Sequence, residues 1–113
     1  MDLTIEIEQK TKELEISIKQ LRKSGEAYAK AYTDYRIALA TELIKLKDEG
    51  YAITLAGDIA RGKRSIAELK FKEITTEAVY KANLEAIAAT KLQLRLLENQ
   101  LNREWGNTGT GNL

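Results

Sequence analysis

No proline interrupts the 113 residues of this chain, and this absence constrains the fold more than any other feature. Proline removes a backbone N–H donor and breaks a helix interior, so long helices can run here without a forced stop. Seven glycines remain as candidate breaks, at positions 25, 50, 57, 62, 106, 109 and 111. The sequence therefore predicts an all-α protein made of long helices with short connections.

Apolar residues recur every third or fourth position from Leu3 to about Glu49, which predicts a first helix over about residues 3–49. This spacing places them on one face of the helix, as in helical bundles. Gly25 falls on that face, and we expect it to bend the helix rather than to break it. The predicted seam consists of Ile7, Thr11, Leu14, Ile18, Leu21, Gly25, Tyr28, Tyr32, Tyr35, Leu39, Leu43 and Leu46.

A short connection follows, because Gly50 is a suitable residue to end a helix in the left-handed conformation. Thr54 is a candidate N-cap for a short helix over about 54–61, and Ser65 is one for a second long helix over about 65–105. The predicted seam of the second long helix includes Ile66, Leu69, Ile74, Tyr80, Leu84, Ile87, Leu94, Leu97 and Leu101.

These elements predict a single helical domain over residues 1–105, a long antiparallel hairpin with a short helical elbow. The polar, glycine-rich segment 106–113 is expected to be a mobile tail. Apolar residues outside the two seams widen the apolar stripe beyond what one partner helix covers, so we expect a homo-oligomeric helical bundle. The additional residues are Ile16, Ile37, Ile44, Phe71, Ala78, Val79, Ala88, Leu92 and Leu96.

The residue types that are missing exclude several kinds of chemistry. The chain has no cysteine and no histidine, so thiolate nucleophiles, Cys/His zinc sites and imidazole acid–base catalysis are excluded. No phosphate-binding loop and no dinucleotide fingerprint is present. We therefore expect a non-enzymatic protein without a cofactor or a metal. No apolar run is long enough to span a membrane and no signal peptide is recognisable, which favours a cytoplasmic location.

Basic residues cluster ahead of the second long helix, where Arg61, Lys63 and Arg64 precede Ser65. From Asp58 to Lys72 five cations face two acids, a local charge of +3. The N-terminus of a helix offers unpaired N–H groups and a partial positive charge, so this segment is a candidate phosphate or carboxylate site. The alternative is a solvated elbow whose charges serve solubility.

Three tyrosines lie at positions 28, 32 and 35, a spacing that places them on one helix face. Arg36 follows Tyr35 directly, and Tyr51 lies near the predicted elbow. Tyrosine rings stack on planar ligands and keep a hydroxyl for hydrogen bonding, so the row is a candidate ligand-binding surface. The alternative is that the tyrosines fill the helical seam.

Two carboxylates four residues apart, Glu73 and Glu77, are the only candidate metal ligands in a helical context that we considered. No histidine or doubled glutamate motif accompanies them. Salt bridges with Lys70 and Lys81 explain these glutamates better than a metal does.

Several short strings resemble a group of small, largely uncharacterised helical proteins encoded by phages and prophages of Gram-positive bacteria. The resemblance covers roughly residues 20 to 106 and implies a phage protein acting in the cytoplasm of a bacterial host. It brings no settled activity and no functional residues. The strings are Tyr28-Ala29, Asp34-Tyr35-Arg36, Ala38-Leu39-Ala40, Glu49-Gly50-Tyr51, Thr54, Ala60-Arg61-Gly62, Leu84-Glu85-Ala86-Ile87, Lys91-Leu92, Leu97-Glu98 and Arg103-Glu104-Trp105-Gly106.

Three functions are compatible with these features. The first is a counter-defence protein that sequesters a phosphorylated, nucleotide-like signal at oligomer interfaces, with the tyrosines stacking on the base and Arg61, Lys63 and Arg64 holding phosphate. The second is an inhibitor of, or a scaffold for, a host or phage protein. The third, a nucleic-acid replication or recombination accessory, is disfavoured by the net charge of +1.

Overall fold

A computed structural model describes the backbone of residues 2–111 and the side chains of residues 2–106. Three helices form this part of the chain: α1, Leu3–Asp48; α2, Ile53–Gly62; and α3, Arg64–Gly111. No strand occurs among the described residues. The all-α prediction, with two long helices and a short one between them, is therefore confirmed. Assembly into a homo-oligomeric bundle stays a prediction.

Helix α1 is continuous through Gly25. A Cβ atom built on Gly25 would lie 3.3 Å from Cε1 of Tyr80 on α3, which is tighter than ordinary van der Waals contact. The glycine therefore allows the tyrosine ring to approach the α1 backbone, while the surrounding turns keep the helix intact.

The end of α1 follows the prediction for Gly50, which has a positive φ of 98°. Its N–H donates to the carbonyl of Lys47 at 3.0 Å, and the N–H of Tyr51 donates to that of Leu46 at 3.2 Å. These two bonds form a Schellman motif, in which glycine adopts the left-handed conformation without a Cβ penalty.

The two predicted N-caps were wrong. Ala52 is the N-cap of α2 and makes no side-chain capping bond, so Thr54 lies inside the first turn of that helix. Lys63 accepts the N–H of Ala67 at 2.8 Å and thereby begins α3, which places Ser65 inside the helix. Backbone geometry rather than a side-chain cap sets the start of α3, because one extended residue, Lys63, ends α2 and begins α3.

Helix α3 extends to Gly111, beyond the predicted end near Trp105. The segment 106–111, which we expected to be part of a tail, is therefore helical in its backbone. Its mobility stays a prediction, and residues 112 and 113 of the predicted tail lie outside the described residues.

The chain divides into two compact units. Unit 1 combines Met1–Arg22 with Ala82–Leu113, and unit 2 is Lys23–Lys81. In unit 1, α1 and α3 line a common cleft and bury Ile87 and Leu94 of α3. In unit 2, α1, α2 and the first part of α3 share one core, which consists of Tyr35, Leu39, Leu46, Ala56, Ala60 and Ile66.

Contacts within unit 2 fix an antiparallel register between α1 and α3. Lys63 pairs with Glu42 at 3.1 Å. Further along, the Lys70 ammonium lies 4.9 Å from the Tyr35 ring centroid, and the Tyr80 and Tyr28 centroids are 6.1 Å apart. Positions later on α3 therefore meet positions earlier on α1, as the hairpin prediction requires.

Six of the 21 predicted seam positions lie one residue away from the less exposed position. Along α1 the less exposed positions are Lys10, Ser17, Ser24 and Ala31 rather than Thr11, Ile18, Gly25 and Tyr32. Along α3, Ile74 and Leu84 are exposed, whereas the polar residues Glu73, Thr76, Asn83 and Thr90 occupy seam positions. Small or polar side chains therefore occupy these seam positions, and larger side chains such as Ile18, Tyr32, Ile74 and Leu84 are exposed beside them.

Candidate functional site

The three tyrosines of the predicted row lie in different environments within unit 2. Tyr35 is buried in the core, and the Lys70 ammonium lies over its ring. Tyr28 contacts Tyr80 on α3 and makes an edge-to-face contact with Tyr32, with centroids 6.5 Å apart. Two of the three rings therefore pack within the hairpin, and Tyr35 does not face a ligand on the surface.

Tyr32 differs from the other two, because 46% of its surface is exposed. Arg36 lies one turn further along α1 and is also exposed. An i, i+4 pair of this kind lies on one helix face. Together they form an aromatic and cationic patch on the outside of α1, whereas Tyr51 is exposed at 42% in the connection before α2.

The elbow cations are exposed, and each has a different neighbour. Lys63 pairs with Glu42. The Arg61 guanidinium lies over Gly57, since a Cβ built on that glycine would be 2.8 Å from Nη1. Arg64 lines a cleft of about 400 Å³ together with Gly62, Ala67, Glu68 and Phe71. The structure thus places all three cations around the elbow, as their sequence positions require.

The tyrosine row and the elbow cations are not brought into one site within a single copy. Tyr28 contacts Tyr80, whereas the elbow residue Lys63 contacts Glu42. The α1 residues in these contacts, at positions 28 and 42, are about 21 Å apart along the helix axis at 1.5 Å per residue. Tyr28 and the Lys63–Glu42 pair are therefore separate contacts, and Tyr32 lies about 15 Å along the axis from position 42.

Sequence reasoning missed a polar network that connects Tyr28 with α3. The Tyr28 hydroxyl donates to the Glu77 carboxylate, and Lys81 pairs with Glu77 at 2.7 Å. Lys70 pairs with Glu73 at 2.9 Å, and Glu73 is only 6% exposed. The two predicted lysine–glutamate salt bridges are therefore confirmed. The sequence did contain one signal of this network, because Glu73 lies at a seam position seven residues after Ile66.

Electrostatics within the network favour its charged and hydrogen-bonded state. Hydrogen bonds from Lys81 and Tyr28 lower the pKa of Glu77, and the hydrogen bond to Glu77 raises the pKa of Lys81. Partial burial, and the hydrogen bond to the Glu77 carboxylate, raise the pKa of Tyr28. These shifts favour the charged Glu77–Lys81 pair and the protonated Tyr28 hydroxyl. The Tyr28–Glu77 hydrogen bond joins α1 to α3 within unit 2.

No group of three or more acidic side chains that could hold a metal occurs within the described part of the chain. A cleft of about 470 Å³ lies in unit 1 between α1 and α3, where glutamine and glutamate side chains form most of the lining. None of the three helices, as far as they are described, is long and apolar enough to cross a membrane.

Large apolar side chains are exposed on helix faces away from the seams. Within unit 2, Ile37 and Ile44 on α1 are 61% and 64% exposed, and Phe71 and Ile74 on α3 are 69% and 55% exposed. Within unit 1, Leu92 and Leu96 on α3 are more than half exposed. Helix α2 buries the small residues Ala56, Gly57 and Ala60 and leaves its large apolar residues exposed.

No protein-family model, curated protein or solved structure matches this chain. The resemblance to phage-encoded proteins therefore stays a prediction, and the functional argument depends on the chain's own surface.

Proposed function

We propose that this chain is a non-enzymatic helical protein that works as a self-assembled homo-oligomer and provides a binding surface made of several copies. The observation that carries the proposal is the set of exposed apolar side chains at helical spacing, including Ile37 with Ile44 and Phe71 with Ile74. Single exposed apolar residues are ordinary, but repeated ones on one helix face are typical of protein–protein contacts.

Co-expression of a tagged and an untagged copy tests the proposal. We expect the untagged copy to co-purify with the tagged one in a fixed ratio, because self-assembly during synthesis mixes the two. A control preparation, in which the copies are purified separately and mixed briefly, measures exchange between assemblies. If the untagged copy never co-purifies from co-expressing cells, the chain does not self-assemble.

A second candidate is sequestration of a phosphorylated ligand. The observation that favours it is the exposed pair Tyr32 and Arg36, which offers a ring for stacking and a guanidinium for phosphate. In this proposal, a second copy in the same assembly supplies Arg61, Lys63 or Arg64 beside the pair.

Native mass spectrometry with a mixture of mononucleotides and cyclic dinucleotides distinguishes the two functions. A discrete added mass that disappears in Arg36→Glu, with the oligomer unchanged, would establish ligand binding. An oligomer that gains no mass would leave a protein partner as the target, consistent with an inhibitor or scaffold in the cytoplasm of a bacterial host. Binding to nucleic acid is disfavoured, because the net charge is only +1.

A further inference from the structure

An exposed apolar strip runs along α3 within unit 2. It consists of Ala67, Phe71, Ile74 and Ala78, whose spacing of 4, 3 and 4 residues places them on one helix face. A cation lies one helical step beyond each end of the strip, with Arg64 before Ala67 and Lys81 after Ala78. The strip is therefore bounded and about three turns long.

The hairpin does not use this face. The seam of α3 in unit 2 consists of Ile66, Leu69, Glu73, Thr76 and Tyr80, which are buried or half-buried. The strip lies on the other side of the helix and carries Phe71, which at 69% exposure is the most exposed large apolar residue of α3 in unit 2. The cleft of about 400 Å³ lies directly beside Phe71.

The size pattern along the strip is symmetric about its midpoint. Two small residues, Ala67 and Ala78, stand at the ends, and two large residues, Phe71 and Ile74, stand in the middle. A two-fold contact uses the same patch on both copies, so a self-complementary patch is what it requires. In an antiparallel pairing, Phe71 of one copy meets Ile74 of the other, and Ala67 meets Ala78.

Charges beside the strip are complementary in the antiparallel arrangement. Lys70 and Glu77 lie seven residues apart on the same flank of the strip. About an axis between positions 72 and 73, an antiparallel second copy brings its Glu77 to the flank of Lys70, with an offset of about 3 Å along the helix axis. Within its own copy Lys70 pairs with Glu73 at 2.9 Å, and Glu77 pairs with Lys81 at 2.7 Å.

We propose that a second copy of the chain packs antiparallel on this strip, about a two-fold axis between positions 72 and 73. The inference rests on the proposed self-assembly and specifies its surface and its symmetry. Because a contact of three turns is small compared with standard interfaces, the pair is expected to dissociate on dilution unless other faces add to it.

Cysteine cross-linking tests the geometry, because the chain has no cysteine of its own. We expect a short bismaleimide to cross-link a mixture of Ala67→Cys and Ala78→Cys chains into covalent dimers, and to cross-link neither variant alone. In the antiparallel pair, residue 67 lies beside residue 78 of the second copy and about 16 Å along the axis from residue 67 of that copy. Dimers from Ala67→Cys alone would indicate a parallel pair and overturn the proposal.

Charged substitutions at two equally exposed positions test the surface. Phe71→Glu should reduce the fraction of dimer at least tenfold at a fixed concentration, whereas Ile53→Glu on α2, with 70% exposure against 69% for Phe71, should leave it unchanged. An oligomer that persists in Phe71→Glu and gives no mixed cross-link would place the contact on another face, which overturns this inference but not self-assembly. A wild-type chain that is monomeric throughout would overturn both.

Discussion

At position 25 the missing side chain allows the Tyr80 ring to pack against α1, and this close approach outweighs the low helix propensity of glycine. Alanine is about 1 kcal/mol more favourable than glycine within a helix. Its methyl group would lie 3.3 Å from Cε1 of Tyr80, and that ring is also in contact with Tyr28. The role of Gly25 was ambiguous from the sequence, because helix propensity alone does not show which side chain packs against it.

A double-mutant cycle measures this conflict. Gly25→Ala in a Tyr80→Ala background should raise the free energy of unfolding by about 1 kcal/mol, since only the propensity term remains. In the wild-type background the gain should be smaller or reversed. Urea unfolding followed by circular dichroism gives the four values. Equal effects of Gly25→Ala in both backgrounds would show that the ring does not restrict position 25.

Glu77 is the second residue whose behaviour follows from its contacts. Its pKa lies below the ordinary value of 4.5, with the Lys81 hydrogen bond the larger cause and the Tyr28 hydroxyl the next. Because its pKa is lower in the folded state, the ionised Glu77 carboxylate stabilises the fold, fully so at pH values above the ordinary pKa. This stabilisation is lost as the pH falls through the folded-state pKa.

Two substitutions should therefore raise the pKa of Glu77 by different amounts. Lys81→Met removes the larger cause and should raise it more than Tyr28→Phe, and both should move the acid loss of stability to higher pH. Carbon-detected NMR titration of the Glu77 carboxyl group measures the pKa directly. A larger rise in Tyr28→Phe than in Lys81→Met would contradict the order of the two contacts.

At the scale of the elements, periodicity predicted the three helices and most of each seam. Tyr28, Tyr35 and Leu39 on α1 were predicted correctly, whereas the alternate seam positions are Ser24 and Ala31 instead of Gly25 and Tyr32. Apolarity favours the larger side chain at each step, but two helices that approach closely need the smaller one. The Tyr28–Glu77 hydrogen bond could not be predicted, because its partners lie on different helices whose register the sequence leaves open.

Leu39 and Ile37 on α1 provide a matched pair for the corrected seam. Leu39 is 7% exposed and belongs to the core of unit 2, whereas Ile37 is 61% exposed. Leu39→Ala should cost about 2–4 kcal/mol of stability through lost burial and a cavity. Ile37→Ala should cost less than about 0.5 kcal/mol, as surface substitutions do. Chemical denaturation measures the free energy of unfolding of the two variants. If both lose a comparable amount, the seam does not lie at Leu39.

At the scale of the whole molecule, the predicted site residues remain separate groups. Tyr35 belongs to the core, Tyr32 and Arg36 lie on the outside of α1, and the cations surround the elbow. Their sequence spacing did not show that Tyr35 is buried while Tyr32 is exposed, and in the proposed assembly contacts between copies combine the exposed groups. Self-assembly is therefore the claim on which both candidate functions depend.

Sedimentation equilibrium of the unmodified chain over a wide concentration range tests that claim most directly, because it gives the mass in solution without a tag or a ligand. The account predicts a mass of at least twice 12.7 kDa at high concentration, decreasing towards the monomer on dilution. A mass of 12.7 kDa at every concentration would contradict it, since the exposed apolar faces would then remain uncovered by further copies.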